Sequence, residues 1–184
     1  MLTPEQQQTL LRVARKAITA VVEHRSCHPE CHDPVLQQPA AAFVTLHRHG
    51  ELRGCIGTVN ATTPLVETIV EMAQAAATQD YRFTPVTARE VPELRIEISV
   101  LTPPEPVIDI SEIEIGVHGL IIEQGYRRGL LLPQVPTEWG WDREEFLQHT
   151  CLKASLPRDA WKRGATIQKF SAEVSGEEEE KLIP

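Results

Sequence analysis

The order of apolar and polar positions predicts an amphipathic helix at the start of the chain. Apolar residues recur there every three or four positions, the spacing of one helical face. These positions are Leu10, Leu11, Ala14, Ala17, Ile18, Val21 and Val22. Thr3, Pro4 and Gln6 precede them in the arrangement of a capping box. We therefore expect a helix that begins at Thr3–Pro4 and ends before Pro29.

The rest of the pattern alternates between strands and helices. Runs with period-two alternation or bounded apolar character predict strands, and three-to-four periodicity predicts helices. In chain order we expect strands at residues 41–46 and 52–59 joined by a turn at 47–50, a helix from Thr63–Pro64, a strand at 94–100, a hairpin over 119–132, a helix capped by Asp142 and Glu145, and a strand at 165–174. This order predicts an α+β fold with a mostly antiparallel sheet and flanking helices.

Composition and length set the scale of the molecule. The chain has 184 residues, of which 41% are hydrophobic, enough to bury a core in one domain or in two tightly packed subdomains. We expect residues 1–176 to form this domain and residues 177–184 to form an acidic, mobile tail.

Charge and hydropathy exclude several kinds of partner. The formal net charge is −8 and no basic run occurs, so nucleic acid is not expected to bind. No apolar stretch approaches the ~20 residues that span a bilayer, so no membrane partner is expected. The first residues do not have the order of a signal peptide, so we expect a cytoplasmic protein whose four cysteines are free thiols.

The segment Leu52–Gly57 is the strongest candidate for chemistry. In a strand, Arg53, Cys55 and Gly57 share one face, and Leu52, Gly54 and Ile56 share the other. A guanidinium beside a thiol favours the nucleophilic thiolate, and two glycines beside the cysteine suggest close approach of a backbone or a ligand. The alternative is a small buried cysteine packed under a neighbouring strand, with Arg53 as an outward surface charge.

A second cluster lies in the proline-rich loop at residues 27–40. Cys27, His28, Cys31 and His32 could supply the four tetrahedral ligands of a zinc ion. Adjacent cysteine and histidine side chains crowd one ion, however, and structural zinc sites usually draw ligands from two segments. The same residues resemble a stretched haem-attachment motif, but attachment of haem requires export. We therefore expect a polar loop without a metal.

His118 and Glu123 bracket a predicted strand and are candidate acid–base groups. The alternative for His118 is a place in a turn, since Gly119 follows it. Cys151 follows Phe146 and Leu147 on a predicted helix, so we expect it in the core.

A series of segments resembles the AMMECR family, named after a human chromosomal region. The signature is Gly50–Gly57, with the sequence Gly-Glu-Leu-Arg-Gly-Cys-Ile-Gly. Further matching blocks follow in order between about Leu10 and Phe170: Ala42–Leu46, Asp80–Pro85, Leu94–Leu101, His118–Glu123, Arg128–Val135, Trp141–Asp142 and Cys151–Ala154. Tyr81 departs from the pattern, which has a proline at this position.

The resemblance implies two α+β subdomains, with the signature near the cleft between them. Prokaryotic members resemble the A component of AmmeMemoRadiSam systems, whose companions are a Memo-type protein and a radical SAM enzyme. The family supplies no settled activity, and neither it nor the residues indicate a cofactor.

Three classes of function stay open on the sequence alone. The chain is a thiol-dependent enzyme or substrate carrier centred on Cys55, a non-catalytic binding partner of a Memo-type or radical SAM protein, or an RNA-associated regulator. The acidic charge counts against the third class. No nucleotide-binding loop, catalytic triad or dinucleotide fingerprint is present, so the sequence names no substrate.

Overall fold

The computed structural model describes residues 1–177, and it divides into two compact units. Of these residues, unit 1 contains Met1–Leu101 and 173–177, and unit 2 is Thr102–Ala172. Residues 1–177 form four α-helices and two four-stranded antiparallel sheets. The predicted α+β fold is therefore confirmed. No helix within these residues combines the length and apolar character needed to cross a bilayer.

Unit 1 packs two helices on one face of its sheet. Its elements are helices α1 (Pro4–Val22) and α2 (Leu65–Thr78) and strands β1 (Ala42–Arg48), β2 (Glu51–Thr58), β3 (Leu94–Leu101) and β8 (Ala172–Gly176), in the sheet order β2-β1-β3-β8. The helices bury their apolar stripes against alternate residues of β1 and β3, such as Leu46 and Ile98. The order of strands leaves β2 at the edge of the sheet, which decides the surroundings of the signature.

The hairpin of β1 and β2 is tighter than the sequence pattern predicts. β1 continues to Arg48, so the turn contains only His49 and Gly50. Both residues have a positive φ, 53° and 80° respectively. The glycine adopts this backbone without steric cost, and the right-handed twist of the two strands favours such turns.

Unit 2 has a smaller core under its own sheet. Its elements are strands β4 (Glu105–Pro106), β5 (Gly119–Gln124), β6 (Arg127–Leu131) and β7 (Thr166–Phe170) and helices α3 (Gln134–Trp139) and α4 (Arg143–Lys153), in the sheet order β4-β7-β5-β6. Leu120 and Ile122 of β5 pack against Phe146, Leu147 and Cys151 of α4. The predicted hairpin is present and turns at Gly125–Tyr126.

One predicted strand is wrong. Residues 165–174 do not form a single strand, because the pairing breaks at Ser171 and the two halves join different sheets. The main-chain groups of Ser171 are bound by Thr102 instead: the Thr102 amide donates to the Ser171 carbonyl, and the Ser171 amide donates to the Thr102 hydroxyl, each at 2.8 Å. The sequence pattern shows alternation but not the identity of the pairing strand.

Helix α3 was not predicted, because Pro133 and Pro136 suggest a loop. Pro136 is the third residue of the helix. Amide groups in the first turn have no intrahelical acceptor, so a proline there removes no hydrogen bond.

Local capping signals were more reliable. The boxes of Thr3 with Gln6 and of Asp142 with Glu145 both form as predicted.

Glu177 anchors the carboxyl end of β8 to helix α1 and strand β3. Its carboxylate accepts hydrogen bonds from Arg15, at 2.7 Å from Nε, and from the Ile96 amide at 3.0 Å. Arg15 also donates to the carbonyls of Val91 and Leu94. The predicted tail began at this residue, and its remaining part, 178–184, lies outside the described residues.

We predict that Glu177→Ala lowers the free energy of unfolding by about 1–2 kcal/mol, because it removes a partly buried partner of Arg15 and of a strand amide. Urea unfolding checks this value. Glu71→Ala, which removes an exposed carboxylate from α2, serves as the control. Equal stability of the two variants would show that the Arg15 contact contributes nothing.

Candidate functional site

The signature segment lies on the edge strand β2 and presents two different faces. Gly54 is buried and faces α2, where a Cβ atom at its position would lie 2.2 Å from the carbonyl oxygen of Ala76. Ile56, on the same face, packs against the core of unit 1. Only a glycine therefore allows the helix to approach the strand this closely.

Gly57 lies on the opposite face, beneath an aromatic ring. A Cβ atom at Gly57 would lie 2.2 Å from Cδ1 of Phe43, its direct neighbour on β1. Both glycines of the segment thus have a packing cause within unit 1, one from a helix backbone and one from a side chain.

Cys55 is half-buried and carries a free thiol. It pairs with Thr45 across the two strands, and the Thr45 hydroxyl donates to Sγ at 3.2 Å. The sulfur therefore lies on the face of the sheet opposite α2. Cys55 shares this face with Gly57 and lies opposite Gly54 and Ile56, the grouping that alternation predicts.

The main chain of Cys55 is held by Asp80 and Arg82. The Cys55 amide donates to Oδ2 of Asp80 at 2.9 Å, and Nη2 of Arg82 donates to the Cys55 carbonyl at 3.4 Å. Arg82 also binds the Asp80 carboxylate through two hydrogen bonds of 2.9 and 2.7 Å. The pair supplies one acceptor and one donor, as a neighbouring strand would, and so closes the sheet edge at the cysteine.

The Asp80–Arg82 pair is ionised at neutral pH. The side chain of Asp80 is only 3% exposed, yet hydrogen bonds from Arg82 hold the pKa of this carboxyl far below its usual range, with further help from the Cys55 amide. The same contact with Asp80 raises the pKa of Arg82. A buried carboxylate with this set of donors is an anchor for the strand and not a proton acceptor.

Arg53 does not contact the thiol. Its guanidinium donates to Glu90 at 3.0 Å from Nε and to the Thr84 carbonyl at 2.9 Å, and none of its described hydrogen bonds reaches Sγ of Cys55. Glu90 accepts further hydrogen bonds from Arg48 and from the amide of Thr87. Hydrogen bonding to Arg53 lowers the pKa of Glu90 to about 2.

Sequence reasoning missed three residues of this site: Asp80, Arg82 and Glu90. The first two lie in a block, Asp80–Pro85, that carries the family resemblance, so a signal was present without a role attached to it. Glu90 lies 37 residues from its partner Arg53, and no periodicity links the two positions.

His118 and Glu123 belong to unit 2 and do not form a pair. His118 immediately precedes β5 and Glu123 is the fifth residue of that strand, so about 16 Å of extended chain separates them. Nδ1 of His118 accepts a hydrogen bond from the Glu114 amide at 3.0 Å. Glu123 lies opposite Arg128 on β6, with 4.0 Å between their charged groups.

The remaining cysteines have structural surroundings. Cys27 and Cys31 are half-buried and pack against the core of unit 1. Within residues 1–177, no group of three or more histidine, cysteine or acidic side chains is arranged to hold a metal ion. Cys151 is fully buried, as predicted, and burial raises the pKa of its thiol.

These features define a two-unit α+β protein with a cysteine on a capped edge strand. The AMMECR1 family model matches residues 11–175, and the chain belongs to this family. A protein of Methanothermobacter thermautotrophicus is 44% identical over 96% of this chain and 97% of its own length. A protein of Thermococcus gammatolerans is 47% identical over 92% of this chain and 89% of its own.

A solved structure shares the fold. The crystal structure of the uncharacterized protein PH0010 from Pyrococcus horikoshii matches with a TM-score of 0.81 and 42% sequence identity, over 96% of this chain and 94% of that one. The names of these relatives assign no activity.

We predict that Glu90→Gln reduces the loss of stability in acid. The folded-state pKa of Glu90 is about 2 against an ordinary value of 4.5, so its contribution is full above pH 4.5 and is lost as the pH falls toward 2. The shift corresponds to at most roughly 3 kcal/mol. Urea unfolding between pH 7 and 2.5 measures it, with Glu71→Gln as the exposed control. Parallel stability profiles for wild type and Glu90→Gln would contradict the assignment.

We also predict that Gly54→Ala destabilises unit 1 by roughly 1–3 kcal/mol, because the new methyl group overlaps the Ala76 carbonyl. Gly176→Ala is the matched control, since a Cβ there meets nothing nearer than the Ile96 carbonyl at 3.8 Å. Thermal unfolding compares the two. Similar melting temperatures would mean that α2 moves away freely.

Proposed function

We propose that unit 1 is a thiol-centred substrate-carrying module that works in the cytoplasm with a Memo-type protein and a radical SAM enzyme. Cys55 holds the substrate, and the partner proteins supply the chemistry that unit 1 lacks. The observation that carries this proposal is the half-buried Cys55, whose thiol is free and whose main chain is fixed by Asp80 and Arg82. Such an arrangement presents a sulfur atom in a defined position.

The carboxylates near Cys55 support a substrate-carrying role and argue against acid–base catalysis. A general base is most effective when its pKa lies near the working pH. The pKa of Glu90 is lowered to about 2 by Arg53, and that of Asp80 is lowered further by Arg82. Both groups are therefore fixed anions at neutral pH. They orient the strand but take up no proton.

The second candidate is a non-catalytic binding subunit of the same kind of system. One observation favours it: Gly54 and Gly57 are both explained by contacts within unit 1, so neither glycine requires a ligand. An RNA-associated regulator is disfavoured by the net charge of −8.

Alkylation of the folded protein separates the two candidates. With iodoacetamide at neutral pH and peptide mapping by mass spectrometry, a substrate carrier should label at Cys55 at least about tenfold faster than at Cys151, which is fully buried. Cys27 and Cys31 provide internal half-buried references. A Cys55 that reacts only after unfolding would end the carrier proposal and leave the binding subunit.

The arginines refine the same experiment. Arg53→Met is expected to change the labelling rate of Cys55 by less than about twofold, since Glu90 and the Thr84 carbonyl already take its guanidinium. Arg82→Met removes the donor to the Cys55 carbonyl and leaves Asp80 without its cation, so it should change the rate more. Circular dichroism of each variant shows whether the fold is kept. A larger effect of Arg53→Met would restore Arg53 as the group that activates the thiol.

A further inference from the structure

Unit 2 carries a ladder of three stacked rings at its surface. Trp141 is the middle ring: its plane lies 3° from that of His149 with the ring centroids 3.8 Å apart, and 18° from that of Trp139 with the centroids 6.0 Å apart. Trp139, the last residue of α3, is 69% exposed. Covering an exposed indole removes apolar surface from water, so this ring can contribute binding free energy to a partner that stacks on it.

The backbone between the two tryptophans presents Trp139 outward. Gly140 ends α3 with φ of 67°, and a Cβ at this position would meet no atom within 4 Å. Asp142 then begins α4 through its capping box. Each tryptophan is thus attached close to a helix end, and the stack of Trp141 on His149 fixes the position of the ladder.

The charge near the ladder is acidic. Residues 138–145 contain four carboxylates, Glu138, Asp142, Glu144 and Glu145, and the cation Arg143. Glu144 is paired with Lys162 at 3.6 Å, so the acidic character rests on the other three carboxylates. The guanidinium of Arg143 is directed to the main chain of unit 2, since its Nε donates to the Ile113 carbonyl at 2.9 Å. A cation that approaches Trp139 therefore meets an attractive field, and a phosphate meets a repulsive one.

Three other aromatic rings of the chain each have a cationic side chain over one face. Lys162 lies over the ring of Trp161, Arg127 over Tyr126 and Arg82 over Phe83, at 4.5, 5.7 and 5.4 Å from the ring centroids. These rings already have a cation from their own chain. The described ring contact of Trp139 is with another indole.

We propose that Trp139 is a docking site for an arginine side chain of a partner protein. A guanidinium is planar and weakly hydrated, so it extends a ladder of parallel rings better than a compact ammonium does. Glu138, next to Trp139 in sequence, is exposed, and its carboxylate adds to the negative field near the indole. The site lies in unit 2 and does not depend on the role of Cys55.

The test follows the indole Nε1–H resonance of Trp139 by NMR during titration with the blocked tripeptide Gly-Arg-Gly. The same peptide with citrulline in place of arginine keeps the planar shape and removes the charge. The arginine peptide should bind about two- to fivefold more tightly than the citrulline peptide, in line with an exposed cation–π contact. Raised salt should weaken its binding.

Two variants and one control locate the site. Because Trp139→Leu removes the resonance that is followed, the indole Nε1–H of the neighbouring Trp141 is followed in wild type and in this variant, and its shift on titration should be lost in Trp139→Leu. Glu138→Gln should weaken binding of the arginine peptide but not of the citrulline peptide. Tyr126→Leu, which removes an aromatic ring that is 91% exposed and already has Arg127 over it, should leave binding unchanged. Equal affinity for arginine and citrulline, tighter binding of uridine or of a sugar, or retained binding in Trp139→Leu would each overturn the proposal.

Discussion

The contact of Asp80 and Arg82 with the main chain of Cys55 is the constraint on which the candidate site depends. An edge strand has outward peptide groups that need partners, and an unpaired edge invites association with other chains. Here a carboxylate accepts from the Cys55 amide and a guanidinium donates to its carbonyl. The cost of burying Asp80 is offset because Arg82 keeps it paired. The cysteine therefore stands on a fixed backbone without being covered by another strand.

The same logic explains how residues 80–90 are attached to β2. Asp80 and Arg82 hold the strand at Cys55, and Arg53 reaches from the neighbouring position on the same face to Glu90 and the Thr84 carbonyl. One ion pair, Arg53–Glu90, and two main-chain hydrogen bonds from the Asp80–Arg82 pair thus fasten one loop to one strand. Because each pair involves a carboxylate of low pKa, the attachment is insensitive to pH in the neutral range.

Local signals in the sequence predicted local features well. The two capping boxes, the two hairpins and the face occupied by Cys55 follow from spacing within a few residues, and the α+β class follows from their order. What failed depends on distant partners. Ser171 breaks a strand because Thr102 binds its main chain, and Arg53 points to a carboxylate 37 residues away. Alternation assigns Arg53 to a face, but it does not assign it a partner, so the expected thiol–guanidinium contact could not be tested by pattern alone.

The carboxylates near Cys55 and those near Trp139 are satisfied in different ways. In unit 1, the carboxylates of Asp80 and Glu90 are each bound by an arginine and act inside the fold. In unit 2, Asp142 and Glu145 cap each other's main-chain amides, so their charge is not cancelled by a cation in that box. A carboxylate satisfied by N–H groups keeps its negative field, whereas one paired with a guanidinium does not. The net charge of −8 therefore says little about the surroundings of Cys55, where charges are paired, and more about the surface around Trp139.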